Sequence, residues 1–97
     1  MRLTNKNGQL KNKIEELIKY SIDSSTKIEF NSKYATLLLK VVYYEYSEYS
    51  KELTIFNNGS NGGGFINLDL TKTHELIEDN KYITLKCKDY TIKIIKE

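Results

Sequence analysis

The spacing of apolar residues changes once along this chain, near Thr26, from a period close to 3.6 to a period of 2. Before the change, Leu10, Ile14, Leu17, Ile18 and Ile22 fall at i, i+4, i+7, i+8 and i+12. On a helix turning about 100° per residue this makes one apolar stripe. Lys11, Lys13, Glu15, Glu16 and Lys19 take the other side, and Glu15 with Lys19 forms an i,i+4 pair in the favourable order. The pattern predicts a helix over 9–23, with Asn7 as its N-cap and Ser24 and Ser25 as its end. The stripe is too short for a coiled coil and suits a helix docked on a sheet.

After the change, six runs rich in Ile, Leu, Val, Thr and Tyr read as strands: 26–31, 34–45, 49–57, 64–70, 81–87 and 90–96. No long helical crossover separates them, so the sheet is expected to be antiparallel. Thr73–Asn80 is read as an exception, a short extra helical turn near 73–79 with Leu76 and Ile77 packing inward. The expected fold is α+β, a single domain over 1–97. It has an N-terminal amphipathic helix on a twisted antiparallel sheet of five to six strands.

Residues directly opposite in an antiparallel pair share a face, so register can be tested on the sequence. A turn at Lys88-Asp89 sets Cys87 opposite Tyr90, Leu85 opposite Ile92 and Ile83 opposite Ile94, with Thr84 and Lys86 on the other face. A turn at Tyr46-Ser47-Glu48 sets Leu39 opposite Ile55 and Val41 opposite Leu53. A turn at Ser32-Lys33 sets Ile28 opposite Leu37 and Phe30 opposite Ala35. The expected core is the helix stripe with Ile28, Phe30, Leu37, Leu39, Val41, Leu53, Ile55, Ile66, Leu68, Leu70, Ile83, Leu85, Ile92 and Ile94. Cys87 is read as a small buried hydrophobe.

Composition narrows the function classes. The formal charge of +2 is too balanced for an electrostatically driven nucleic-acid binder. No apolar run approaches the ~20 residues of a membrane span, and the N-terminal segment lacks a signal-peptide apolar region. One Cys and one His cannot build a Cys/His zinc site within one chain, so neither a metal nor a cofactor is expected. A single cysteine also favours a cytoplasmic setting. Lys, Asn, Ile and Tyr number 14, 9, 11 and 8 of 97 residues, while Pro and Trp are absent. The codons of the first group are A/T-rich, which suggests a low-GC bacterium or a phage or mobile element living in one.

Three places could carry function. The first is the second sheet face, which is less polar than a solvated face should be. It places Leu38, Val42, Tyr44, Phe56 and Phe65 beside Tyr46 and Tyr49, a partner-binding surface of the kind tyrosine favours. The second is the segment with Asn58, Gly59, Asn61, Gly62 and Gly63, read as a flexible hairpin loop, since it lacks the ending and the helical setting of a phosphate loop. The third is Lys86, Lys88 and Lys93, with Thr84, Thr91 and Tyr82, a basic patch that a single-stranded nucleic-acid-binding sheet could use. His74 lies near Glu75, Glu78 and Asp79 but has no nucleophile tied to it, and is read as a surface residue, so no catalytic residue is expected.

The sequence therefore reads as a small non-enzymatic protein-binding module acting sterically. In its sharpest form this is a phage or mobile-element product that inhibits a host protein or protein–RNA complex, in the manner of an anti-CRISPR inhibitor of a defence nuclease. The alternatives are a single-stranded nucleic-acid-binding sheet, with direct nucleic-acid contact, and a homo-oligomeric accessory protein, for example a homodimer closed through the apolar face.

Overall fold

The computed structural model describes residues 1–57 and 64–96. A short strand β1 (Arg2–Leu3) and a 3-10 turn (Lys6–Gly8) lead into the helix α1 (Gln9–Ser24). Strands β2 (Ile28–Ser32), β3 (Thr36–Leu39), β4 (Val41–Ser47), β5 (Glu52–Asn57), β6 (Gly64–Asp69), β7 (His74–Glu78), β8 (Tyr82–Lys86) and β9 (Tyr90–Ile95) follow. They form two antiparallel sheets, one in the order β1-β7-β8-β9-β2-β3 and one in the order β4-β5-β6. The class is α+β, with the helix packed on antiparallel sheet as expected.

The helix keeps its stripe but ends it differently. Leu10, Ile14, Leu17, Ile18 and Ser21 are buried, whereas Ile22 is exposed. At about 100° per residue Ser21 falls near the middle of the stripe and Ile22 well outside it. Ser21 is satisfied there by donating its hydroxyl to the Thr26 carbonyl. The end is a Schellman motif: Ser25 takes the left-handed conformation at φ 58°, its N–H reaches the Ile22 carbonyl, and the Thr26 N–H reaches the Ser21 carbonyl. At the start the N-cap residue is Gly8, not Asn7, and it is Asn5 that lends a side chain to the first turn. The 3-10 turn folds Asn5 back, and its Oδ1 accepts from the Lys11 N–H at 3.1 Å. The Lys11–Glu15 ion pair at 3.1 Å stands where Glu15–Lys19 was expected.

The β8–β9 register is as expected, with Ile83 opposite Ile94 and Leu85 opposite Ile92. The β2–β3 hairpin turns at Lys33-Tyr34, with the Ser32 N–H donating to the Ala35 carbonyl. Ile28 therefore faces Leu39, and Phe30 faces Leu37. That is a slip of two residues from the expected pairing, which changes partners but not faces.

The run 34–45 is not one strand. It breaks at Lys40, so that β3 closes the edge of the larger sheet and β4 opens the smaller one. The Asn57 side chain braces this corner by accepting from the Lys40 N–H at 2.9 Å. The β4–β5 turn lies over Glu48–Lys51, with Ser47 opposite Glu52 and Tyr44 opposite Ile55. The expected pairings of Leu39 with Ile55 and Val41 with Leu53 are not formed.

The segment expected as an extra helical turn is strand β7. It pairs with β8 on one side and with β1 on the other, where Leu3 meets His74. The adjacent Leu76 and Ile77 looked helical only because His74 was counted as polar. With His74 inward, His74 and Leu76 face the core while Glu75 and Ile77 are exposed, a period of 2 that ends at the exposed Glu78. The Asp79 carboxylate accepts from the N–H groups of Lys81 and Tyr82 and shapes the β7–β8 turn.

One core joins the helix stripe to the inner faces of both sheets. Leu3 and Tyr90 belong to it although the expected core left them out, Leu76 packs inward as expected but from a strand, and Leu37 and Ile77 are exposed although they were expected inside. Truncating the fully buried Leu53 to Ala should cost about 2–5 kcal/mol, by lost transfer energy plus the cavity left behind. Ile22→Ala should cost under about 1 kcal/mol. Urea unfolding of the two variants checks the difference, and equal losses would contradict the helix register.

Candidate functional site

The outer surface of the smaller sheet is shaped by one irregularity. Between Val41 and Tyr43 the pairing with β5 shifts, and Val42 is the extra residue of a β-bulge. Up to this point the alternation is the expected one: Leu39 and Val41 are buried, Leu38 and Val42 exposed. A bulge adds one residue to one strand, so every side chain after it changes face. Tyr43 consequently points outward beside Val42, and Tyr44 and Tyr46 point inward.

Tyr44 and Tyr46, both expected on the partner-binding surface, are half-buried beneath α1. The Tyr44 hydroxyl donates to Glu15 Oε2 at 2.8 Å, and Asn5 Nδ2 donates to the Tyr46 hydroxyl at 3.2 Å. The Lys11 ammonium lies 5.1 Å from the Tyr46 ring centre. Burial works to raise the Glu15 carboxyl pKa, but the bonds from Tyr44 and Lys11 and the charges of Lys11 and Lys19 outweigh it and hold it below its ordinary value. These two tyrosines fasten the helix to β4. Tyr49, at the tip of the β4–β5 turn, is fully exposed and apart from the rest.

What the bulge leaves outside is a row of aromatic rings. Tyr43, Phe56 and Phe65 stand directly opposite one another across β4, β5 and β6. The Tyr43 and Phe56 rings stack with centres 5.0 Å apart, and Phe56 lies 6.1 Å from Phe65. Phe65 is 63% exposed and Tyr43 49%. Tyr43 is the member that sequence reasoning missed, and nothing in the local pattern marks the bulge that turns it outward. From Phe65 a groove lined by Ile66, Gly64, Asn57 and Leu37–Leu39 runs to the free edge of β3, where Leu38 is 62% exposed. Leu38, Val42, Phe56 and Phe65 are thus brought to one corner of the molecule, on the outer sides of two sheets rather than on one face.

Beyond the aromatic row the same outer face carries Glu45, Thr54 and Asn67, then Ser47, Glu52 and Asp69. Three of these residues are carboxylates and none is basic. The Tyr43 hydroxyl donates to Glu45, and this bond raises the Tyr43 pKa. Asp69 accepts from the Thr71 hydroxyl at 2.6 Å and from its N–H at 3.0 Å, which lowers the Asp69 carboxyl.

The lysines of the nucleic-acid alternative occupy a different setting. Lys86 lies opposite Glu75, which in turn faces Arg2, and Lys93 lies opposite Glu29. The Lys93 ammonium also sits 4.3 Å from the Tyr82 ring centre. Charges therefore alternate across the outer face of the larger sheet, and Lys88 alone projects from the β8–β9 turn. Phosphates need clustered positive charge, and the three lysines are divided: Lys86 and Lys88 line one shallow pocket with Arg2 and Glu75, while Lys93 lies apart beside Glu29 and Tyr82. The loop residues Asn58, Gly59, Asn61, Gly62 and Gly63 lie outside the described residues.

His74 is buried, not on the surface. Its Nδ1–H donates to the Lys72 carbonyl at 3.0 Å, a group that can only accept. That leaves Nε2 to accept from the Tyr90 hydroxyl. Both ring nitrogens are used by the neutral form, and burial pushes the imidazole pKa down. Burial likewise pushes the Tyr90 phenol up, helped by the adjacent Cys87. This cluster joins β7 to β9, with both imidazole nitrogens engaged and Cys87 beside it as a buried free thiol. Among the described residues no group of three or more His, Cys, Asp or Glu is placed to hold a metal ion, and no helix is long and apolar enough to cross a membrane. Comparison with known protein families, characterised proteins and solved structures finds no match to this chain.

Two outcomes follow. Replacing Tyr44 by Phe should destabilise the fold by roughly 1 kcal/mol at neutral pH. Because the folded Glu15 pKa is lowered, that difference is present above the ordinary carboxylate pKa and shrinks as the pH falls through the lowered one, which urea unfolding at pH 7 and pH 3 compares. The chain has one histidine, so a single imidazole titrates by NMR. It should do so below the ordinary value of about 6.5. Stability should accordingly be full above that value and decline as the pH drops below it. A midpoint at or above 6.5 would refute the buried, neutral assignment.

Proposed function

We propose that this protein is a non-enzymatic protein-binding module whose contact surface is the Tyr43, Phe56 and Phe65 row with Val42 and the adjoining Leu38 groove. The observation that carries the reading is the aromatic row itself. Stacked, cross-strand rings left in solvent are the anchors that protein interfaces use, because they present rigid apolar area at little entropic cost. An apolar corner of this kind is unusual unless something docks on it. The action of such a module is steric: it occupies a partner's surface and carries no chemistry of its own. Inhibition of a host protein, as products of phages and mobile elements practise it, is the form favoured by the A/T-biased composition.

The reading is tested with the double variant Tyr43→Glu/Phe65→Glu, whose positions are solvent-exposed. Immobilised wild-type protein should retain a specific protein from a low-GC bacterial lysate, and the double variant should lose it while its thermal midpoint moves by only a few degrees. Retention of the same proteins by both forms would overturn the surface assignment. A concentration-dependent dimer by solution mass measurement, abolished by the same two changes, would reassign the surface to self-association.

A further inference from the structure

The partner's chemistry can be read from what surrounds the aromatic row. Beside the bulged Val42, nine outward residues of the smaller sheet face one another across it: Tyr43, Glu45 and Ser47 on β4, Glu52, Thr54 and Phe56 on β5, and Phe65, Asn67 and Asp69 on β6. Three are aromatic, three are acidic and none is a lysine or arginine, in a chain whose formal charge is +2. Negative charge is therefore concentrated on this face against the balance of the whole molecule. Successive outward residues along a strand lie about 7 Å apart, so Glu45 stands one step from Tyr43, and Glu52 two steps from Phe56. The nearest basic side chain in the β4–β5 turn, Lys51, is held by Glu48 at 2.9 Å. Lys72, beyond the end of β6, is held by Asp89. Glu52 has no ion-pair partner among the described residues.

Ring faces carry negative potential and attract a cation laid over them, and an adjacent carboxylate holds its charged head. Arginine suits both at once, since its planar guanidinium stacks on an aromatic ring and forks onto a carboxylate. The phosphates of a nucleic acid would meet repulsion on the same surface. We propose that the outer face of the β4-β5-β6 sheet binds a basic protein segment, with an arginine or lysine side chain lying over Tyr43, Phe56 and Phe65 and its charge held by Glu45, and a second basic side chain of the same segment meeting Glu52 roughly 14 Å along the face from Phe56. This rests on the protein-binding reading above and names the class of partner for the same surface.

The test is a selection of random 12-residue peptides displayed on phage, panned against the intact immobilised protein, with the enriched peptides then titrated by calorimetry. The expected result is enrichment in arginine and lysine together with apolar residues. Affinity should fall at least tenfold in Glu45→Lys/Glu52→Lys and in Phe65→Ser, and should weaken as salt is raised from 50 to 500 mM. Circular dichroism and thermal unfolding confirm that each variant is folded. If the enriched peptides are neutral or acidic and lose affinity in Phe65→Ser but not in the charge reversal, the basic-partner inference fails while the protein-binding reading stands. If no peptide is enriched, or binding survives both variants, both fail.

Discussion

A strand that gains one residue must send every later side chain to its other face, and in this chain that residue is Val42. Without the bulge, Tyr44 and Tyr46 would stand in solvent and Tyr43 would point at the helix. With it, Tyr44 gains Glu15 on α1, Tyr46 gains Asn5 ahead of the helix and Lys11 on it, and Tyr43 joins Phe56 and Phe65 outside. The attachment of the helix to the smaller sheet and the composition of the candidate contact surface therefore have a common cause.

The interior is closed by polar pairs as well as by apolar packing. The pair of Tyr44 with Glu15 fixes α1 against β4, and the pair of His74 with Tyr90 joins strands β7 and β9, which are not neighbours in their sheet. Each uses a tyrosine whose ring supplies apolar area while its hydroxyl binds a polar side chain, the fully buried His74 in one case and the part-buried Glu15, already paired with Lys11, in the other. The chain's tyrosines are thus divided between fastening the core and building a surface.

The two outer sheet faces differ in kind. On the larger sheet Arg2, Glu75 and Lys86, and again Glu29 and Lys93, alternate in sign from strand to strand, as a solvated face does. On the smaller sheet aromatic rings and carboxylates share a face with no compensating cation. That asymmetry, more than exposed area alone, singles out the smaller sheet's outer face as the candidate contact surface, since scattered exposed apolar residues are normal on any protein.

Much of the architecture was legible in the residues. The helix stripe, the antiparallel class and the β8–β9 hairpin depend on local periodicity and on pairing across a two-residue turn, and both are written in adjacent sequence. Even the β2–β3 error was benign, because a slip of two preserves faces. Tertiary structure decided the rest. The break at Lys40 depends on Asn57, and the identity of β7 depends on β1, far away in the chain. His74 is buried only because Tyr90 and the Lys72 carbonyl satisfy it. Which of Tyr43, Tyr44 and Tyr46 faces solvent was settled by the bulge, and no pattern in Val41-Val42-Tyr43-Tyr44 marks its position. Sequence periodicity says that residues alternate. Only the assembled sheet says where the alternation is reset.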